Sequence, residues 1–280
     1  MNRASEESFK SRIRNLASEK RIDTAQLWRS LILERFLVRL SHSKHSTHFV
    51  LKGGVLLSHY IDLKRHTQDL DFHVRSLDGK ITDLERTVTD ITKIPVEDGF
   101  QFTNLKIVPL LHPHMKYPGF RATMISFFGK TRFPVSLDLG FGDLIFSTEI
   151  MIPLTKTKSG PLFENQIELN GYPKEFIFAE KLETIVYRGS ENSRMKDFHD
   201  IRLLTQSRQL DPKRTKEVIQ MVFTHRGTAT DFPIHFNKSE LTHLQRFWSA
   251  HLRGLPRDNT MPTLFSEVIF DINSWLKEIL

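Results

Sequence analysis

Two carboxylates at i and i+2, Asp69 and Asp71, follow a Lys52-Gly53-Gly54 corner in this chain. On a strand, Asp69, Asp71 and His73 alternate with Leu70, Phe72 and Val74, so the two acids share one face. Like charges held that close repel unless a cation lies between them. Mg²⁺ suits the position, because it takes one or two carboxylates and completes its shell with water and phosphate oxygens. Upstream, the apolar run Phe49–Leu51 breaks at the glycines into a helix carrying Val55, Leu56, Leu57 and Tyr60. Glycines at a helix start turn the backbone sharply and present N–H groups, which is where a phosphate can be held. His73 reads as a structural or edge residue.

The elements that must position these groups are legible in outline. Phe9, Ile13 and Leu16 fall at helical spacing over 5–20, and Asp23 with Gln26 three residues on predicts the cap of a helix bearing Leu27, Leu31, Phe36, Leu37 and Leu40. The polar stretch Ser41–His48 ends it; its three histidines have no acidic companion in the stretch and read as a solvated loop. Ile81, Leu84, Val88 and Ile91 predict another helix. Extended segments follow at about 101–109, 121–128 and 133–139, separated by turn signals at Asp78-Gly79, His112-Pro113 and Pro118-Gly119. In the last of them Val135, Leu137 and Leu139 alternate with Ser136 and Asp138, which puts Asp138 on the polar face. Residues 141–170 read as loop and strand with a weakly ordered Lys156–Gly160 link. From Pro173, taken as a first helical residue, the pattern is helical: one helix closed by Gly189, one capped by Asn192 or Ser193, and others opening near Asp211-Pro212, Ser239 and Phe265.

Composition bounds the function. The 280 residues are 39% hydrophobic, enough for a sizeable core. No cysteine is present, which excludes disulfides, thiolate catalysis and cysteine zinc sites and fits a reducing cytoplasm. No apolar run approaches a membrane span. The net charge of +7 is uneven: residues 1–47 carry ten Lys/Arg against five Asp/Glu, and residues 208–257 carry nine against four. Basic flanks around a balanced centre suit an enzyme acting on a polyanion such as RNA, and a solubility surplus is the plain alternative.

A strand, a Gly-Gly corner and helix, an Asp-x-Asp strand and a lone Asp on a later strand together resemble the polymerase-β-like nucleotidyltransferase superfamily. Downstream, Glu180-Lys181-Leu-Glu-Thr-Ile-Val-Tyr-Arg188 and Asn192-Ser-Arg194-Met-Lys196-Asp197-Phe-His-Asp200 resemble the second signature of the AbiEii/MenT nucleotidyltransferase toxins. The resemblance runs from about residue 30 to 206. It implies an α+β fold with a mixed sheet, N-terminal helices over 1–46, a nucleotidyltransferase core over 47–170 and a C-terminal helical half over 171–280. It implies that Asp69 and Asp71 hold Mg²⁺ or Mn²⁺, with Asp138 (or Asp143) as third carboxylate, and that Lys181 contacts the triphosphate. Asp197, or else Asp200, would be the last acidic residue, placing the site in a cleft between sheet and helices. Lys52, Gly53, Gly54 and Arg65 would contact nucleotide phosphates. The implied activity is metal-dependent transfer of nucleotides from an NTP to an acceptor, a tRNA 3′ end in members that block translation, with a cognate antitoxin as partner. Transfer to a protein hydroxyl or a small molecule, and a catalytically silent RNA- or protein-binding module of the same fold, are the alternatives. One departure stands out: many relatives carry a small polar residue where this chain has Val55, which would leave phosphate binding to backbone N–H groups. Each motif also has an ordinary reading, with Lys181 pairing with Glu180 or Glu183 on a helix surface and Arg194–Asp200 forming an ion-paired helix face.

Overall fold

The computed structural model describes residues 3–63, 65–77, 79–110, 119–142, 146–256 and 259–280. Asp78, His112, Pro113, Pro118 and Asp143, named above, lie outside the described residues. The chain divides into two compact units, one formed by residues 1–59 and 66–172 and the other by residues 60–65 and 173–280.

The first unit opens with helices α1 (Arg3–Lys20) and α2 (Thr24–Ser41). Asp23 caps α2 by accepting from the Gln26 N–H at 3.1 Å, as the spacing predicted. The apolar positions of both helices are buried, and Phe9 and Trp28 pack with Phe100 and Phe128 into one aromatic cluster. Strand β1 (Phe49–Lys52) runs directly into α3 (Gly53–Tyr60), followed by β2 (Leu70–Val74), α4 (Ile81–Thr92), β3 (Phe100–Leu110), β4 (Gly119–Phe128), β5 (Thr131–Gly140) and β6 (Thr148–Pro153). The Lys156–Gly160 link is ordered as the paired strands β7 (Lys156–Thr157) and β8 (Gly160–Pro161), before β9 (Gln166–Gly171). The strands outside that hairpin form one mixed sheet in the order β3-β4-β5-β2-β1-β9-β6, with β2–β5 and β1–β9 parallel and the other pairs antiparallel.

Two basic residues of the N-terminal flank, Arg35 and Arg39, are in the core. Arg39 donates to both oxygens of Asp98 at 2.7 and 2.9 Å, and Arg35 lies 2.7 Å from Glu164, its guanidinium over the Phe163 ring. The flank's charge is therefore partly structural. One of the loop histidines does find an acidic companion, supplied by α4: His45 Nε2 lies 3.1 Å from Asp90.

The second unit contains α5 (Lys174–Arg188), α6 (Met195–Gln206), α7 (Pro212–Arg226), α8 (Lys238–Arg253) and α9 (Phe265–Ile279). Pro173 is the residue before the first helical turn rather than within it, and Gly189 closes α5 with φ +50°. Arg194, not Asn192 or Ser193, flanks the start of α6. Asn192 instead turns its side chain back to accept from the Arg194 N–H at 2.9 Å. Asp211 and Asn237 cap α7 and α8 through side-chain oxygens. Phe178, Phe198, Phe223, Trp248 and Phe265 fill the interior of this unit. Among the described residues, no helix is long and apolar enough to cross a membrane.

Candidate functional site

The first unit carries a row of charges across its central strands. The β1–β2 register pairs Lys52 with Asp71, the β2–β5 register pairs Asp71 with Asp138, and the β4–β5 register pairs Arg121 with Asp138. Ladder partners project to the same face, so Lys52, Asp71, Asp138 and Arg121 stand side by side on four adjacent strands. The opposite face explains why they do: Leu70, Phe72, Val74, Val135, Leu137 and Leu139 are buried, which fixes the register and turns the alternate positions outward. Asp69, two residues before Asp71, adds a second acid, and its charge together with that of Asp71 reaches Arg121.

Arg121 donates to both oxygens of Asp138 at 2.7 Å, and this pairing holds the guanidinium above its ordinary pKa. The Lys52 ammonium lies 5.4 Å from the centre of the Tyr172 ring. His73, on the central strand β2, is buried with its ring 6.3 Å from Tyr172. Gly53 closes the corner at φ +68°, and a Cβ there would fall within 2.7 Å of Asp71 Cβ and nearer still to its carboxylate. Both the backbone conformation and the close approach demand glycine at this position. Val55 is 8% exposed and packs inward, so a hydroxyl at 55 would be buried; the half-exposed position beside the corner is Gly54.

These residues fit a hard divalent cation in part. Asp69 and Asp71 offer carboxylate oxygens on one half-exposed face, and with Asp138, Lys52 and Arg121 the row sums to one net negative charge. Arg121, directly across from Asp138, donates to both oxygens of this expected third carboxylate. Among the described residues no group of three acids or histidines is arranged to hold a metal.

The second unit contains the Lys181 group. Lys181 Nζ lies 2.7 Å from Asp197 Oδ1 and 2.9 Å from Asp200 Oδ2. Arg65 clamps both oxygens of Asp200 through Nε and Nη2 at 2.7 and 2.5 Å, and Arg194 Nε donates to Asp197 Oδ2 at 2.8 Å. The alternating order is Arg65, Asp200, Lys181, Asp197, Arg194. Both aspartate side chains are buried, 1% or less exposed, and Lys181 and Arg65 are each 11% exposed. Burial opposes the charges of Lys181, Asp197 and Asp200, but the neighbours outweigh it. Lys181 is held above its ordinary value by Asp197 and Asp200, and both aspartates below theirs, chiefly by Lys181. Asp197 and Asp200 thus share Lys181, where the motif alone left a choice between them. Arg65 faces a carboxylate, a partner the sequence did not indicate.

A histidine pair lies beside the network. His199 Nε2 is 2.8 Å from the Leu63 carbonyl, which can only accept, so that nitrogen carries the proton. His199 Nδ1 then accepts from His251 Nε2 at 3.1 Å. His199 is therefore neutral in this arrangement, and burial first of all holds both imidazoles below the ordinary value, His251 at about 4.

Residues 35–268 match the family model described as "Nucleotidyl transferase AbiEii toxin, Type IV TA system". Among solved structures, a Helicobacter pylori protein provisionally assigned as a nucleotidyltransferase aligns over 89% of this chain and 94% of its own, at 17% identity and a TM-score of 0.48. JHP933 from the same organism aligns over 89% and 91%, at 16% identity and a TM-score of 0.47. No curated protein matches.

Proposed function

Because the chain belongs to the AbiEii family of nucleotidyltransferase toxins, we propose that it transfers nucleotides from an NTP to an RNA acceptor, a tRNA 3′ end, and thereby blocks translation. In this reading the acceptor hydroxyl gives its proton to solvent, its oxygen attacks the α-phosphorus, the bond from that phosphorus to the bridging β-phosphate oxygen breaks, and pyrophosphate leaves. Mg²⁺ or Mn²⁺, held by Asp69 and Asp71, would supply Lewis-acid stabilisation of charge on the reacting phosphate. Lys52 and the Gly53-Gly54 backbone N–H groups bind triphosphate oxygens, and Arg121 keeps Asp138 oriented. Lys181 has three N–H donors, of which Asp197 and Asp200 take two, and in this reading the third would serve the triphosphate.

The observation that carries the reading is the half-exposed Asp69–Asp71 pair beside the Gly53 corner in a chain of this family. RNA is gripped by exposed basic residues of the flanks, among them Arg12 and Arg14 on α1 and Lys213, Arg214 and Lys216 on α7. A cognate antitoxin is the expected protein partner. The test is incubation of the purified chain with tRNA, Mg²⁺ and each α-³²P-labelled NTP in turn. Labelled, lengthened tRNA is expected; unchanged tRNA length with every NTP would sink the acceptor assignment, and label in protein would redirect it to a protein hydroxyl.

A further inference from the structure

We infer that Arg65 is a positioning residue, acting on the triphosphate through Asp200 and Lys181 rather than by touching phosphate itself. This deepens the function proposed above and rests on Lys181 being the triphosphate contact.

Three observations carry it. First, the Arg65 fork closes on both oxygens of Asp200, and the Oδ2 atom it engages is also the one facing Lys181. A carboxylate gripped at both oxygens has one orientation, so the direction of the Lys181–Asp200 bond is set by Arg65. With Asp197 taking a second N–H, tetrahedral geometry at Nζ leaves the third pointing one way. Second, Arg65 cancels the buried excess of negative charge. Lys181, Asp197 and Asp200 alone sum to −1; Arg65 brings the buried set to zero, and with the partly exposed Arg194 the whole group is +1, which favours an incoming polyanion. Third, the chain two residues before Arg65 is tied down, because His199, the neighbour of Asp200 on α6, donates to the carbonyl of Leu63. Arg194 carries the same charge but holds its aspartate less firmly. Its side chain is 44% exposed and reaches Asp197 through one nitrogen, so water can replace it.

The experiment compares the full-length wild type with Arg65→Ala, Arg65→Lys, Asp200→Asn, the Arg65→Ala/Asp200→Asn double variant and Lys181→Met, with a melting curve for each. Arg65→Ala is expected to lower kcat/KM for the NTP by about 10- to 100-fold, the usual cost of losing a group that orients a ligand-binding one, while KM for RNA is unchanged. Arg65→Lys keeps the charge without the fork, recovers part of the loss and covers the case in which the alanine variant does not fold. The double variant should be no worse than the more impaired single variant. Losses that multiply would mean that Arg65 touches phosphate independently, and wild-type kinetics in a folded Arg65→Ala would mean that it does nothing; either overturns the inference. If the wild type transfers no nucleotide, the proposed reaction fails, and the role of Arg65 is read from the melting shift given by inorganic tripolyphosphate. That shift should vanish in Lys181→Met and fall equally in Arg65→Ala, Asp200→Asn and the double variant. An equal shift in all variants would refute it.

Discussion

The acidic row of the sheet and the Lys181 group of the helices solve opposite problems with the same kinds of side chain. The row stands on a half-exposed face, ordered by backbone register, and its charges sum to −1. The Lys181 group is buried apart from Arg194, is ordered by side-chain ion pairs from residues up to 135 apart in sequence, and sums to +1. A carboxylate in the row can change without uncovering a buried charge. One in the Lys181 group cannot, since removing one partner of a buried pair leaves the other uncompensated. Activity and stability should therefore separate in the sheet and move together in the helices.

The sharpest way to break this contrast is the isosteric pair Asp71→Asn and Asp200→Asn. For Asp71→Asn, transfer should fall by about 10²–10³-fold, the scale of losing one electrostatic contributor to a transition state, with little change in melting temperature. For Asp200→Asn, a comparable loss should come with a stability cost of about 3–5 kcal/mol by denaturant titration. Equal melting behaviour in the two would erase the distinction.

Next in size is Gly53→Ala. A left-handed φ costs a non-glycine residue roughly 1–2 kcal/mol, and the Cβ would also push against the Asp71 carboxylate. Transfer should drop, and growth inhibition on expression should weaken with it. Unaltered kinetics would mean that the corner does not position Asp71.

The smallest effect concerns pH. His199 and His251 are held below the ordinary imidazole value of 6.5, His251 at about 4. The unfolded chain therefore binds protons that the fold refuses, and stability should decline as pH falls from about 6.5 toward 4. Melting temperatures at pH 7.5 and 5 should differ less in His251→Phe than in wild type, whereas a row variant such as Asp69→Asn should leave the difference intact.

What the sequence revealed follows the same divide. Alternation exposed the polar faces of β2 and β5, hence Asp69, Asp71 and Asp138, and the Asp23 cap and the strand–Gly-Gly–helix order were local patterns too. Arg121 was missed because its relation to Asp138 exists only in the register of β4 on β5; an isolated arginine among alternating apolar residues carries no mark of it. The pairing of Arg65 with Asp200 was missed for the same reason at longer range. Arg194, Asp197 and Asp200, at i, i+3 and i+6, did announce one helix face. Reading them as an ion-paired face was correct for Arg194 and Asp197, but Lys181 is not paired at the surface with Glu180 or Glu183 as its plain reading had it. It turns inward, because two aspartates on α6 offer more than one glutamate on its own helix.

The in-register charges of the sheet also bear on how this chain can vary in length. An inserted or deleted residue within β2 or β5 would swap faces for everything beyond it, sending Asp71 or Asp138 into the core and a leucine or phenylalanine out. The β7–β8 hairpin has no such parity to keep, and its turn should accept extra residues with little penalty. Tolerance of insertions, scanned position by position, would trace the acidic face as a stretch where length cannot change.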